Sequence, residues 1–155
     1  MSDAAEDALP RTYRARREEL LRIYRDTRTI AVVGASDDRS KPAGYIPAYL
    51  QSQGYRIIPV NPVRDTVLGE PTVKALSDIS EPVDVVDVFR PAAEGPAIAR
   101  DAAAIGANVI WFQPGTQSAE ASAIAREAGL TVITRLCMGA THGILGLGPG
   151  PHEPA

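Results

Sequence analysis

Five short apolar runs set the strongest limit on what this 155-residue chain can fold into. "TIAVVGA" (29–35), "YRIIPV" (55–60), "VDVVDVF" (83–89), "NVIWF" (108–112) and "TVIT" (131–134) are rich in β-branched residues and too short for helices. Their apolar residues follow one another rather than alternate, as strands covered on both faces require. Between them lie stretches with helical spacing: "PAGYIPAYLQSQG", starting near Pro42 and stopped by Gly54, "AAEGPAIARDAAAIG" and "SAEASAIAREAGL". Strands and helices in alternation give a parallel sheet with helices on both faces. The expected fold is α/β: a Rossmann-like, doubly wound parallel sheet in strand order 3-2-1-4-5-6. "EPTV" (70–73) is read as its edge strand, where Pro71 is tolerated.

Ahead of the first strand, residues 11–28 place Leu20, Leu21, Ile23 and Tyr24 at helical spacing among charges, an N-terminal amphipathic helix. Its packing against a second copy is one expectation, giving a homo-oligomer. Residues 29–142 form a single domain. Residues 1–10 and the end of the Gly/Pro-rich tail (143–155) are expected to be disordered. No apolar run approaches bilayer length, and the first residues carry acids instead of an apolar signal core. A single cysteine, Cys137, excludes an internal disulfide. A cytoplasmic protein with no membrane contact is expected.

The net charge of −3 is unevenly spread. Residues 11–28 hold seven Arg, whereas from Thr29 onward nine basic residues face thirteen acidic ones. A nucleic-acid binder normally shows a basic face on its body, so no nucleic acid is expected. Of the nine body cations, Arg39, Lys41, Arg64, Arg90 and Arg135 fall in or beside loops that follow strands. Ligands of open α/β sheets bind at that end, so a phosphate-rich ligand suits it. Lys74, in the edge region, is expected to lie clear of the site.

The first loop reads Gly34-Ala35-Ser36, with no further glycine until Gly44, and so lacks the G-x-G-x-x-G of NAD domains. Backbone N–H groups and the Ser36 hydroxyl are left to cradle phosphate. After the second strand, an NAD domain needs an acid for the ribose hydroxyls. Here Asn61, Pro62 and Arg64 stand in its place, suiting a ribose that carries an extra phosphate. NADP and coenzyme A both do.

"AVVGASDDRSKPAGY", "GYRIIPVNPV", "LGEPTVKALSDI", "PVDVVDVFR", "IGANVIWFQPG" and "AREAGLTVITRLCM" together resemble the small stand-alone CoA-binding proteins. They are similar also to the CoA-binding domain of the succinyl-CoA synthetase α subunit. The resemblance spans about residues 28–140 and implies a Rossmann-like domain that binds coenzyme A or an acyl-CoA. It implies that Gly34, Ala35 and Ser36 meet the pyrophosphate with Lys41 beside them, and that Asn61 and Pro62 lie by the ribose and adenine. Phe89, Arg90, Gln113 and Gly115 would flank the crevice. The synthetase's phosphohistidine domain has no counterpart, so ligase activity is not implied. A non-enzymatic carrier, sensor or regulatory module is the leading expectation.

The alternative is an enzyme, either an NADP-dependent oxidoreductase or an acyl-CoA-handling catalyst using Cys137 with His142 as its base. Cys and His alone are too few for a structural zinc, so no metal is expected. Cys137 follows the sixth strand, three strand spacings or roughly 14 Å from the first. That is comparable to an extended pantetheine arm, which places Cys137 among the expected ligand contacts.

Overall fold

A computed structural model of the chain describes residues 9–152. In chain order the elements are α1 (Arg11–Ala15), α2 (Arg17–Asp26), β1 (Thr29–Val33), α3 (Pro42–Ser52), β2 (Arg56–Val60), β3 (Thr66–Val67) and β4 (Glu70–Pro71). They continue with β5 (Val85–Val88), α4 (Gly95–Ala104), β6 (Val109–Phe112), α5 (Ala119–Glu127), β7 (Thr131–Thr134) and α6 (Met138–Ile144). Five parallel strands form the main sheet in order β2-β1-β5-β6-β7. The order reverses between β1 and β5. Val33 pairs with both Val60 and Val88, so the loops after β1, β2 and β5 leave the sheet at one level.

Successive strand residues point to opposite faces, and each face has its own core. Ile30, Val32, Ile57, Val85, Trp111 and Ile133 pack with α2, α3 and α6. Ala31, Val33, Ile58, Val86, Val88 and Phe112 pack with α4 and α5. Burial on both sides is why the strand sequences read as unbroken apolar runs.

Three expectations change. The N-terminal helix is two helices, parted where Arg16 leaves helical geometry at φ −121°, ψ 13°. Its apolar residues Leu20, Leu21, Ile23 and Tyr24 are buried in the chain's own core, and Tyr24 Oη donates to the Met138 carbonyl at 2.6 Å. The apolar face of this segment is therefore turned into the chain's own fold.

"EPTV" is not an edge strand of the main sheet. Leu68 and Gly69 both have positive φ, 57° and 74°, the geometry of a two-residue hairpin turn. That turn pairs β4 with β3 instead. Only Val73 reaches the main sheet, through a single bridge to Val60.

The tail, finally, lies back on the body through His152. Leu145 is buried, Gly150 N–H donates to the Gln53 carbonyl, and the Arg28 guanidinium donates to the His152 carbonyl. The disorder expected for residues 1–8 and 153–155 concerns positions outside the described residues. Among the described residues, no helix is long and apolar enough to cross a membrane.

Candidate functional site

The strand-order reversal places the loops after β1 and β5 against each other. Gly34 adopts φ 90°, and a Cβ there would stand 2.9 Å from Arg90 Cδ, so the Arg90 stem lies directly over the loop. Gly34 N–H donates to the Val60 carbonyl and Ser36 N–H to the Ala43 carbonyl. Two of the amides expected to cradle phosphate are therefore engaged within the protein. The Ser36 hydroxyl accepts from Asp38 N–H, Ser40 donates twice to Asp38 Oδ1, and Lys41 N–H donates to the Asp38 carbonyl. The Ser40 hydroxyl, more than any charge, holds the exposed Asp38 carboxyl below its ordinary range. These bonds fold the segment from Ser36 to Lys41 into a compact turn that ends at the start of α3.

Asn61 ties the next loop to this one. Its Nδ2 donates to the Ala35 carbonyl at 3.1 Å, and its Oδ1 accepts from Val63 and Arg64 N–H at 2.8 and 2.9 Å. The amide expected to meet a ribose is thus occupied in shaping the loop.

Together these loops enclose a cleft of about 730 Å³ lined by Gly34, Ala35, Ser36, Lys41, Asn61, Pro62, Arg64, Phe89 and Arg90. Lys74 lines it too, which corrects its placement outside the site: the Val60–Val73 bridge carries it there. Its Nζ donates to the Arg64 carbonyl at 3.0 Å. Four cations thus face two acids, Glu94 and Asp101, and Glu94 pairs with Arg90 at 2.8 Å. Arg39, Arg135 and Gly115 lie on the wall of neither this cleft nor the next cavity.

A second cavity of about 480 Å³ shares Lys41, Ala43 and Phe89 with the first. It runs on past Pro42, Tyr45 and Ile46 to Gln113, Pro114, Thr116 and Cys137, and most of these side chains are apolar. Cys137 is half-buried. Trp111 Nε1 holds its neighbour by donating to the Leu136 carbonyl at 2.7 Å.

Gln113 is paired with Asp87, an acid that sequence reasoning missed. Gln113 Nε2 donates to Asp87 Oδ1 at 2.6 Å, while Gln113 Oε1 and Asp87 Oδ2 are buried with no hydrogen-bond partner. Burial raises the Asp87 carboxyl to about 7, against a smaller lowering from Gln113. An acid inside a run otherwise as apolar as "VDVVDVF" was the available signal.

His142 is elsewhere. Its ring is fully buried among Tyr24, Tyr49, Tyr55 and His152, with centroids 5.4–6.0 Å away, and Nδ1 is hydrogen-bonded to Tyr49 Oη at 2.8 Å. Cys137 Sγ instead accepts from Ala140 N–H at 3.5 Å. No hydrogen bond joins Cys137 to His142 among the described residues.

Residues 28–143 match the CoA binding domain. The chain belongs to this CoA-binding family. Over 126 residues it is 37% identical to the uncharacterized protein YneT of Bacillus subtilis, covering 81% of this chain and 93% of that one. A solved structure of a hypothetical protein from Pyrococcus horikoshii is 34% identical with a TM-score of 0.81, covering 90% of this chain and 94% of that one. The apo form of a dinucleotide forming acetyl-coenzyme A synthetase from Ca. Korarchaeum cryptofilum is 27% identical with a TM-score of 0.63. It is matched over 73% of this chain but only 27% of its own. This chain is thus similar to one part of a much larger enzyme.

Proposed function

We propose that this member of the CoA-binding family holds coenzyme A or an acyl-CoA across its two joined cavities, as a non-enzymatic carrier, sensor or regulatory module. One observation carries the reading: a cation-lined cleft at the strand-order reversal adjoins an apolar cavity with a thiol on its wall, the two sharing Lys41, Ala43 and Phe89. Coenzyme A has the same sequence of parts, with a phosphorylated adenosine diphosphate at one end and a slender, mostly apolar pantetheine arm at the other. Gln113 Oε1, an acceptor without a donor, suits an amide N–H of that arm. The nucleotide is assigned to the cleft of Gly34, Ser36, Lys41, Arg64, Lys74 and Arg90, and the arm to the cavity of Phe89, Gln113 and Cys137. The carrier or sensor role is favoured because the one histidine near Cys137 in sequence is committed to the core, so that among the described residues no histidine is hydrogen-bonded to the thiol.

Calorimetric titration tests this reading. Coenzyme A is expected to bind more tightly than NADP, NAD or ATP; NADP binding as tightly would overturn it. In the same titrations, Lys41→Ala and Lys74→Ala should each weaken coenzyme A by about 1.5–3 kcal/mol, the range for a hydrogen bond to a charged group.

A further inference from the structure

We propose that Cys137 is a site of covalent modification, where coenzyme A attaches as a mixed disulfide by exchange with the symmetrical disulfide of coenzyme A. This rests on the coenzyme A reading above.

Three observations converge. Cys137 stands on the wall of the apolar cavity and is half-buried, so its sulfur is within reach of a ligand there. That cavity and the cationic cleft share Lys41, Ala43 and Phe89 as lining, so the thiol lies in the cavity next to the one assigned to the ligand's phosphates. Gln113 lines the same cavity at only 3% exposure with Oε1 unpartnered, and its Nε2 is held by Asp87. A buried acceptor so fixed lacks a donor, and the amide N–H groups of pantetheine in the adjoining cavity are donors of that kind.

The chemistry is thiol–disulfide exchange. The Cys137 thiol loses its proton to solvent and attacks one sulfur of the coenzyme A disulfide. The bond between the two coenzyme A sulfurs breaks as the Cys137 Sγ–sulfur bond forms. The second coenzyme A departs as a thiolate and takes up a proton. The coenzyme A disulfide is the oxidant: the Cys137 sulfur is oxidised as the departing coenzyme A sulfur is reduced, and one disulfide replaces another. The remote His142 is no obstacle, since solvent rather than a side-chain base takes the thiol proton.

Intact-mass spectrometry tests this on the full chain, after calorimetry has established that the same sample binds coenzyme A reversibly. Incubation with coenzyme A disulfide should raise the mass by one coenzyme A less two hydrogens, and dithiothreitol should reverse the rise. Cys137→Ser, which keeps a side-chain acceptor for Ala140 N–H, should show no rise. Because the cleft delivers the reagent, oxidised glutathione should react at least about tenfold more slowly. Adenosine 3′,5′-bisphosphate should slow the coenzyme A reaction only. An unmodified mass in protein that binds coenzyme A overturns the proposal, as does equal reaction with both disulfides. A chain that fails to bind coenzyme A in calorimetry instead overturns the reading of the cleft, and the proposal with it.

Discussion

Gly44→Ala is expected to cost this protein both its ligand and part of its stability, although Gly44 lines neither cavity. The added Cβ would lie 2.1 Å from the Asp38 carbonyl oxygen and 2.7 Å from its carbon, distances no real Cβ tolerates. Both are backbone atoms, so no side chain can swing aside. The Asp38 carbonyl accepts from Lys41 N–H, and Asp38 N–H is held by Ser36 Oγ. Relieving the clash must therefore displace the turn that sets Ser36 and Lys41 on the cleft. Overpacking of this kind costs about 1–3 kcal/mol, and coenzyme A affinity should fall by roughly tenfold or more as the turn moves. Gly143→Ala is the control: its Cβ would meet only Tyr49 Oη at 3.6 Å, an ordinary contact. Denaturant unfolding and calorimetry of the two variants check this. Equal behaviour would show that the turn yields freely.

The second large effect concerns pH. Asp87 is fully buried, and burial raises its carboxyl from an ordinary 3.8 to about 7. Between about pH 4 and pH 7 the folded chain keeps a proton that the unfolded chain has lost. Its contribution to stability is full below about pH 4, declines as pH rises through that window, and is gone above about pH 7. The shift corresponds to at most about 4 kcal/mol. Asp87→Asn should remove this decline, because an amide can still accept from Gln113 and does not ionise. Unfolding free energies of the two proteins at pH 4.5, 6 and 7.5, read as differences, isolate Asp87 from other titrating groups. An identical pH slope would mean that Asp87 is ionised in the fold or better hydrated than its burial implies.

Much of this molecule is legible in its sequence for one reason: a sheet buried on both faces demands strands that are apolar throughout. "TVIT" coincides with β7, and the other four runs contain their strands within two residues at either end. Their order follows from the rules of parallel crossovers. The errors share a cause as well. They fall where a local bond or a long-range contact decides the outcome. Leu68-Gly69 makes a turn that no apolar pattern announces, and it pairs Glu70 and Pro71 with β3, leaving only Val73 of "EPTV" bridged to the main sheet. Lys74 joins the cleft only because Val73 bridges Val60. Asn61 lines the cleft, but its amide is spent on Ala35, Val63 and Arg64. Cys137 and His142 are five residues apart, yet α6 turns the imidazole into the core while the thiol stays on the cavity wall. Spacing along a chain does not reveal which face a side chain takes until the neighbouring helices are in place.

The central claim is that two joined cavities form one site for coenzyme A, with the nucleotide at the strand-order reversal and the arm directed to Cys137. A crystal structure of the protein grown with coenzyme A tests it most directly. The expected electron density has phosphates beside Ser36, Lys41 and Arg90, an arm passing Phe89 with an amide N–H on Gln113 Oε1, and sulfur next to Cys137. Coenzyme A seated on another face of the protein, or with its arm turned out to solvent and the Cys137 cavity empty, would contradict the account.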